Sequence, residues 1–191
     1  FQTADTRPGD IRFADLNNDG IIDGNDRAHL GNPFPDFNYG FQATFNYKNF
    51  DLSILAQGVQ GNDVYFLFGN FAYETQARGF NSYREILNRW TPDNPDASFP
   101  RLAWNQTNNE QNSSYWMRSA AYLRGQNVQI GYTFPNTISG LNIQNLRIYL
   151  SGRNIFTIDN FYEGYDPEAP VSNGGWYPQM EVYTLGLNVN F

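Results

Sequence analysis

The sequence predicts an all-β chain whose strands belong to a large membrane-spanning β-barrel. Three observations support this fold class: apolar and polar residues alternate cleanly in five segments, aromatic residues are in excess, and the connections between the segments are strongly unequal in length. Alternation places every apolar side chain on one face of a strand; in a membrane barrel that face meets lipid and the polar face lines the lumen. We therefore expect about five antiparallel strands, long extracellular loops and a short loop helix.

The composition agrees with a barrel and excludes several other classes. The 191 residues are 40% hydrophobic with a mean hydropathy of −0.59, because only alternate residues of a membrane strand need be apolar. No stretch approaches the roughly 20 apolar residues of a transmembrane helix. The aromatic fraction of 17% fits the aromatic girdles of a barrel. A net charge of −7 without a basic stripe argues against nucleic-acid binding, and the lack of cysteine excludes a disulfide framework.

Five strand candidates carry the alternation. The first, at 37–47, is the cleanest, because every odd position is apolar and every even position is small or polar. A short turn at Lys48-Asn49 leads to the second, in which Leu55 is the one exception. Each candidate is close to the about 9–11 residues that a tilted membrane strand needs. The full set is 37–47, 50–59, 120–134, 143–156 and 180–191.

The connections alternate between short and long. Strands one and two, and strands three and four, are joined by short turns, whereas 58–119 and 157–179 are long loops and residues 1–36 precede the first strand. Outer-membrane barrels have short periplasmic turns and longer extracellular loops. We therefore place 1–36 and both long loops outside the cell and treat 37–191 as barrel strands with their loops.

The first long loop is predicted to contain one short helix. Between Phe80 and Trp90 the apolar residues recur at helical spacing, and Pro92 follows the segment. We interpret this helix as a cover for the barrel rim without a catalytic role. Its apolar stripe consists of Tyr83, Ile86, Leu87 and Trp90.

An acidic loop at 15–26 carries the strongest local motif. It follows the EF-hand pattern, with oxygen ligands at alternate positions and Gly20 at the sixth, where the chain turns sharply. It ends on Asp26 where a standard hand has glutamate, as dockerin-type loops do. The motif predicts a structural Ca²⁺ site, while an Asx-turn loop held by its own hydrogen bonds, without metal, is the alternative. The candidate ligands are Asp15, Asn17, Asp19, the Ile21 carbonyl, Asp23 and Asp26.

Several short motifs follow one another in order over nearly the whole chain, and together they resemble the C-terminal part of a SusC/RagA-type TonB-dependent outer-membrane transporter of Bacteroidetes. The ordered combination is specific although each motif alone is not. The motifs are PGDIRFADLNNDGIID from Pro8, GNPFP from Gly31, FDLS from Phe50, QGVQGN from Gln57, QIGY from Gln129, LSGRNIFT from Leu150, GYDPE from Gly164 and GLNVNF from Gly186.

That resemblance implies a barrel of about 22 strands with an internal plug, in the bacterial outer membrane. It also implies a SusD-like surface lipoprotein as a lid and import of glycans or peptides driven by TonB-ExbB-ExbD, which would act through a missing N-terminal region. Five strands are too few to close a barrel, since about eight is the minimum. An open sheet would leave unpaired backbone groups in lipid. We therefore expect the chain to be part of a longer polypeptide, completed by the rest of its own barrel and plug, rather than a piece completed by another chain.

The sequence also suggests which side chains face the lumen, although it assigns no substrate-binding residue. Arg147, Arg153, Tyr149 and Asn127 fall on the polar face of their strands. Aromatic residues in the loops are candidates for contact with a sugar, a peptide or the lid. Those residues are Trp104, Trp116 and Trp176.

Two other functional classes were weighed. A secreted, calcium-stabilised carbohydrate-binding β module would share the acidic balance and the aromatic residues, but it would purify without detergent. An enzyme would need a catalytic pair, and paired carboxylates such as Asp166 and Glu168 could perform acid–base chemistry on a glycosidic bond. No nucleophile-elbow, metalloprotease or phosphate-binding motif accompanies them. We therefore expect no enzyme.

Overall fold

The chain forms two compact units in the computed structural model, which describes residues 6–65, 84–103, 108–134, 143–162, 164–169, 177 and 179–190. The sheet unit contains Asn32–Asp63, Ser119–Ala169 and Tyr177–Phe191. The loop unit contains Phe1–Gly31, Val64–Arg118 and Pro170–Trp176. The sequence treated 1–36 and 58–119 as separate loops, whereas most of both belongs to a single unit.

In the part of the chain that the structure describes, eight strands and three short helices make up the regular structure. In chain order the strands are β1 Phe37–Tyr47, β2 Phe50–Gln60, β3 Asp63–Tyr65, β4 Met117–Ser119, β5 Tyr122–Phe134, β6 Asn145–Arg153, β7 Thr157–Asp159 and β8 Val182–Asn190. Three short 3₁₀ helices span Arg84–Asn88, Asn108–Glu110 and Ser114–Trp116. Within the described residues, no helix has the length and apolar character required to cross a membrane.

The main sheet is antiparallel throughout and has the strand order β1-β2-β5-β6-β8, with β7 also paired to β5. The short strands β3 and β4 form a second, two-stranded sheet. The five long strands are those that alternation predicted, and the fold class of antiparallel barrel strands is confirmed. Two of the junctions, β1 to β2 and β5 to β6, are the short connections of the sequence.

The register brings most of the apolar residues of the five long strands to one face. Opposite pairs such as Phe41 with Ala56 and Leu150 with Leu185 carry this face from strand to strand. In the described chain this face is exposed to solvent, since the side chains of Phe41 and Leu185 are 60% and 76% exposed. An apolar face of this extent requires a cover other than water. We call it the apolar face and the opposite side the polar face.

A β-bulge interrupts the pairing of β2 with β5. Leu55 is opposite Asn127, but the next residue, Ala56, is opposite Gly125, so that Gln126 is the extra residue. On the other side of β5, β6 ends at Arg153 and pairing resumes only in β7 at Thr157. The sequence predicted one continuous strand over 143–156. The strand is present but shorter than predicted. The residues after it still bond to β5, since the Ile155 amide donates to the Gly125 carbonyl at 3.1 Å and the Gly125 amide donates to the Phe156 carbonyl at 3.0 Å.

The polar face is linked across three strands by one ion pair. Arg147 on β6 donates from Nε to Asp51 Oδ1 at 2.9 Å and from Nη2 to Asp51 Oδ2 at 2.5 Å. The pair crosses β5 at Gly131, where a Cβ would collide with both side chains. The Arg147 guanidinium also lies 5.0 Å from the Tyr149 ring centroid. Glycine at this position therefore permits a bidentate contact between strands that are not neighbours.

The loop unit has a small aromatic core of its own. Ile86, Phe99 and Trp116 are buried, and Trp116 is 0% exposed. The suggestion that Trp116 contacts a ligand was therefore wrong, while Trp104 and Trp176 lie outside the described residues. Partly buried side chains pack around this core: Ile11, Tyr65, Leu102 and Tyr115.

The predicted loop helix is shorter than expected and of a different type. The described segment is a 3₁₀ helix of five residues, Arg84–Asn88, and the part at 80–83 lies outside the described residues. A 3₁₀ helix has three residues per turn, so an apolar stripe at α-helical spacing cannot share one face. Ile86 is accordingly 6% exposed, but Leu87 is 72% exposed.

We expect Gly131→Ala to lower the free energy of unfolding by about 1–3 kcal/mol, because the added methyl group would force the Asp51–Arg147 pair apart. Gly40→Ala is the matched control, since a Cβ there would meet only the Ala56 carbonyl oxygen, at 3.8 Å. Denaturant titration of the intact polypeptide in detergent measures both. Equal effects of the two substitutions would contradict the proposed crowding at Gly131.

Candidate functional site

The acidic loop folds around hydrogen bonds from its own backbone. Asp15 Oδ2 accepts from the Gly20 amide at 2.8 Å, and Asn17 Oδ1 accepts from the Asp19 amide at 2.9 Å. Asp19 Oδ1 accepts from the Ile21 amide at 2.8 Å. Gly20 has a φ of +83°, a conformation that favours glycine. The chain thus forms successive Asx turns, as the spacing of its short polar residues dictates.

The Asp26 side chain connects the end of the acidic loop to its beginning. Its Oδ1 accepts from the Leu16 amide at 2.8 Å and its Oδ2 accepts from the Asp23 amide at 2.8 Å. These amides, with that of Asp23 the larger influence, lower the pKa of the Asp26 carboxyl group. These hydrogen bonds therefore stabilise the folded loop at pH values above the ordinary aspartate pKa of about 3.9. That stabilisation is lost as the pH falls through the lower pKa that Asp26 has in the folded state.

The six predicted calcium ligands lie in this loop, with many of their side-chain oxygens turned towards backbone amides. Asp19 and Asp23 are exposed, and His29 beside the loop is exposed as well. Asp15 Oδ1 differs, because this atom is buried and accepts no hydrogen bond. Across the described ranges, no three His, Cys, Asp or Glu side chains are grouped so that they could hold a metal ion.

A buried polar cluster organises the loop unit, and the sequence analysis did not find it. Asn109 is 0% exposed; its Oδ1 accepts from the Ile11 amide at 2.8 Å and its Nδ2 donates to Asp10 Oδ1 at 2.9 Å. The carbonyl of Asn109 accepts from Trp116 Nε1 at 3.0 Å. Asp10 also forms an ion pair with Arg101, with Nε 2.7 Å from Oδ1. The cluster joins segments far apart in the chain, which no local pattern could have revealed.

An open groove of about 1310 Å³ lies beside the acidic loop within the loop unit. Its lining mixes aromatic, aliphatic, acidic and basic side chains. Representative lining residues are Phe13, Leu16, Asp26, Trp90 and Tyr115.

A second cluster lies in the sheet unit, on the polar face of β5. Arg124 donates from Nη2 to Asp166 Oδ2 at 2.7 Å, from Nη1 to Glu168 Oε2, and from Nε to Thr157 Oγ1 at 3.1 Å. The Tyr122 hydroxyl donates to the other oxygen of Glu168. The Arg124 guanidinium lies 5.0 Å from the Tyr122 ring centroid. The two carboxylates considered for acid–base chemistry are thus both bound to one arginine.

This arrangement leaves no free carboxylate oxygen in the pair. The remaining oxygen of Asp166, Oδ1, accepts from the Glu168 amide at 2.9 Å. A general acid or base must be able to exchange a proton with a bound substrate, and both groups are instead engaged as hydrogen-bond acceptors. The cluster is built to hold a chain segment in place, and its geometry does not favour the enzyme hypothesis.

Comparison with known proteins finds similar receptors, although no family model matches the chain. The sequence is 34% identical over 196 residues to the TonB-dependent receptor P26 of Formosa agariphila, a match over 96% of the chain. It is 33% identical over 203 residues to the receptor P3 of the same organism, and 28% identical over 188 residues to the TonB-dependent receptor SusC of Bacteroides thetaiotaomicron. Over nearly its whole length the chain is similar to these TonB-dependent receptors. It spans 20% of the length of P26 and of P3, and 18% of SusC.

Comparison with solved structures supports the same resemblance at the level of the fold. The structure of the RagAB peptide transporter matches 82% of this chain with a TM-score of 0.66 and 29% sequence identity, over 17% of that chain. The RagAB peptide importer in its closed-closed state matches 91% with a TM-score of 0.67 and 26% identity, over 20% of that chain. The resemblance to SusC/RagA-type receptors is confirmed, and the sheet unit contains strands of such a barrel.

We expect Asn109→Ala to lower the free energy of unfolding by about 1–3 kcal/mol, because it leaves the buried Ile11 amide without its acceptor. Asn112→Ala, at an exposed position of the same loop unit, is the control and should have little effect. Thermal unfolding of the full-length receptor, with limited proteolysis to locate the loss, measures the difference. Identical behaviour of the two variants would show that the cluster does not organise this unit.

Proposed function

We propose that this chain is a wall-forming segment of a TonB-dependent importer in the bacterial outer membrane, and that it supplies barrel strands and extracellular loops. The apolar face of the five long strands carries the proposal. Leu187 is 60% exposed on this face, and the ion pair of Asp51 with Arg147 lies on the opposite one. Lipid outside and water inside are the environments that suit these two faces.

The ends of the sheet support completion by the rest of the same polypeptide. In the described sheet, β1 and β8 are the two edge strands, each nine or more residues long. Backbone groups along such an edge must find partners within a bilayer, which further strands of a closed barrel provide. The chain matches about a fifth of its relatives' length, which is consistent with this completion. The internal plug would then face the polar side.

The cargo class that we propose is glycan or peptide. The solved relatives are named as a peptide transporter and a peptide importer, and they support the peptide alternative. The glycan alternative follows from the resemblance to SusC/RagA-type transporters, which implies import of glycans or peptides. By the same analogy, the partners would be a SusD-like surface lipoprotein, which corresponds to the second component of RagAB, and TonB-ExbB-ExbD. We propose no catalytic activity.

Deletion of the gene for the full-length receptor tests this function. We expect the deletion strain to lose growth on one class of polymer, either polysaccharide or peptide, when it is the sole nutrient. Loss of TonB should give the same defect, and the full-length gene should restore growth. Growth on every polymer, together with recovery of the protein without detergent, would favour the secreted carbohydrate-binding module instead.

We further propose that the acidic loop binds a structural Ca²⁺. The ligands would be Asp15, Asn17, Asp19, the Ile21 carbonyl, Asp23 and Asp26, and the bound ion would supply a cross-link between the two ends of the loop. The buried, unpartnered Oδ1 of Asp15 supports the proposal, since an orphaned carboxylate oxygen is explained by an ion or a water molecule. The oxygens that accept amide hydrogen bonds keep a second lone pair for a cation.

Calcium should stabilise the full-length receptor, by about 2.7 kcal/mol at one hundred times its dissociation constant. Asp15→Asn combined with Asp19→Asn removes two negative charges but keeps, at each position, a side-chain oxygen that can accept the backbone hydrogen bond. The double variant should therefore abolish the stabilisation by calcium without unfolding the loop. Asp96→Asn, at an exposed position elsewhere, is the control. Thermal unfolding with added Ca²⁺ or chelator is the measurement. A receptor that responds to neither would establish the metal-free Asx-turn loop.

A further inference from the structure

The bulge at Gln126 changes the face on which two residues of β5 lie. Residues 128, 130, 132 and 134 are on the apolar face, and strict alternation would place Tyr122 and Arg124 there too. The extra residue shifts the count by one, so that Arg124 is opposite Gln57 and shares the polar face with Asp51. Without the bulge, an arginine would stand among the apolar side chains, where an isolated charge is very costly.

Arg124 is buried and fully engaged on this face. Its side chain is 3% exposed, and its partner Asp166 is 11% exposed, whereas Glu168 is 38% exposed. A planar guanidinium offers a fixed fork of donors that suits two carboxylates better than a lysine ammonium does. Of the two carboxylates that bind Arg124, Glu168 is therefore more accessible to water than Asp166.

The segment that supplies the carboxylates is itself a preformed turn. The Asp166 carbonyl accepts from the Ala169 amide at 2.9 Å, and Asp166 Oδ1 accepts from the Glu168 amide. Pro167 between them is buried. These local bonds place two carboxylates, two residues apart, on the side of the turn that meets the arginine. We call residues 164–169 the strap.

We propose that Arg124 clamps the strap to the polar face of the sheet, so that residues 164–169 are a fixed part of the wall and not a free surface loop. Among the described residues, the three residue pairs of β7 with β5 precede this long connection, and Asn154 Nδ2 donates to the Met180 carbonyl near its far end at 3.3 Å. The clamp adds side-chain bonds from both carboxylates to a strand more than 40 residues away, with separations of 42 and 44 residues.

The burial of the clamp determines how it should respond to its surroundings. Salt screens exposed charges strongly but buried pairs much less. Removal of one partner leaves the other charged groups buried and uncompensated, which is more disruptive than loss of a surface pair. The strap should therefore stay bound to the sheet in high salt and detach when an uncharged residue replaces Arg124.

Native proteolysis of the full-length receptor in its membrane tests the clamp without a label. Chymotrypsin cleaves after aromatic residues. In and beside the strap the connection offers Phe161, Tyr162 and Tyr165, all half-buried, whereas Tyr177 further along is exposed. Cleavage requires local opening. We expect Arg124→Gln to raise the rate at these sites at least tenfold, Arg124→Lys to give a smaller rise, and 1 M salt to leave the unaltered receptor resistant.

Arg153→Gln is the matched control, since Arg153 is exposed on the same polar face; its cleavage rate should not change. The heat-dependent shift in electrophoretic mobility of a folded barrel establishes that each variant is folded. A folded Arg124→Gln receptor with an unchanged cleavage rate would overturn the proposal. Should that variant fail to fold, Asp166→Asn combined with Glu168→Gln removes the same ion pairs from the strap side, and the same two outcomes decide.

Discussion

Antiparallel pairing, in a register that shifts at the Gln126 bulge, is the constraint on which the structure of the sheet unit depends. Each strand has a side-chain period of two, so a shift by a single residue would move its whole apolar set to the other face. The register from β1 to β8 keeps Phe41 beside Ala56 and Leu150 beside Leu185, and thereby one face stays apolar over five strands. The distribution of charge, the lipid-facing surface and the positions of the loops all follow from this pairing.

The same constraint explains why glycine recurs beneath large side chains. Gly131 lets Arg147 reach across β5 to Asp51, and Gly186 lies beneath the ring of Tyr149 on the neighbouring strand. A side chain at either position would lift the larger group away from the sheet. A glycine in a strand often marks such a close approach, and here it allows charged and aromatic groups to lie flat along the polar face.

The loop unit depends on a different principle, since it has few ladder hydrogen bonds to hold it. Its centre is the buried amide of Asn109, which satisfies backbone and carboxylate groups that would otherwise be stranded away from water. The aromatic residues around Trp116 pack against this polar centre. The unit is therefore a small folded body in its own right, and the acidic loop and the open groove are parts of it.

The sequence by itself determined the long strands, the apolar face and the acidic loop, because each is encoded by residues close together in the chain. Alternation is visible over ten residues, and the bonds of the acidic loop join positions two to ten residues apart. The tertiary structure alone decided the partners of Arg124 and Asn109, which lie 42 and 98 residues away. It also decided the bulge at Gln126, since alternation within one strand cannot show where the neighbouring strand fails to match it. Local periodicity specifies which face a residue prefers, but only the pairing of distant segments specifies what it meets there.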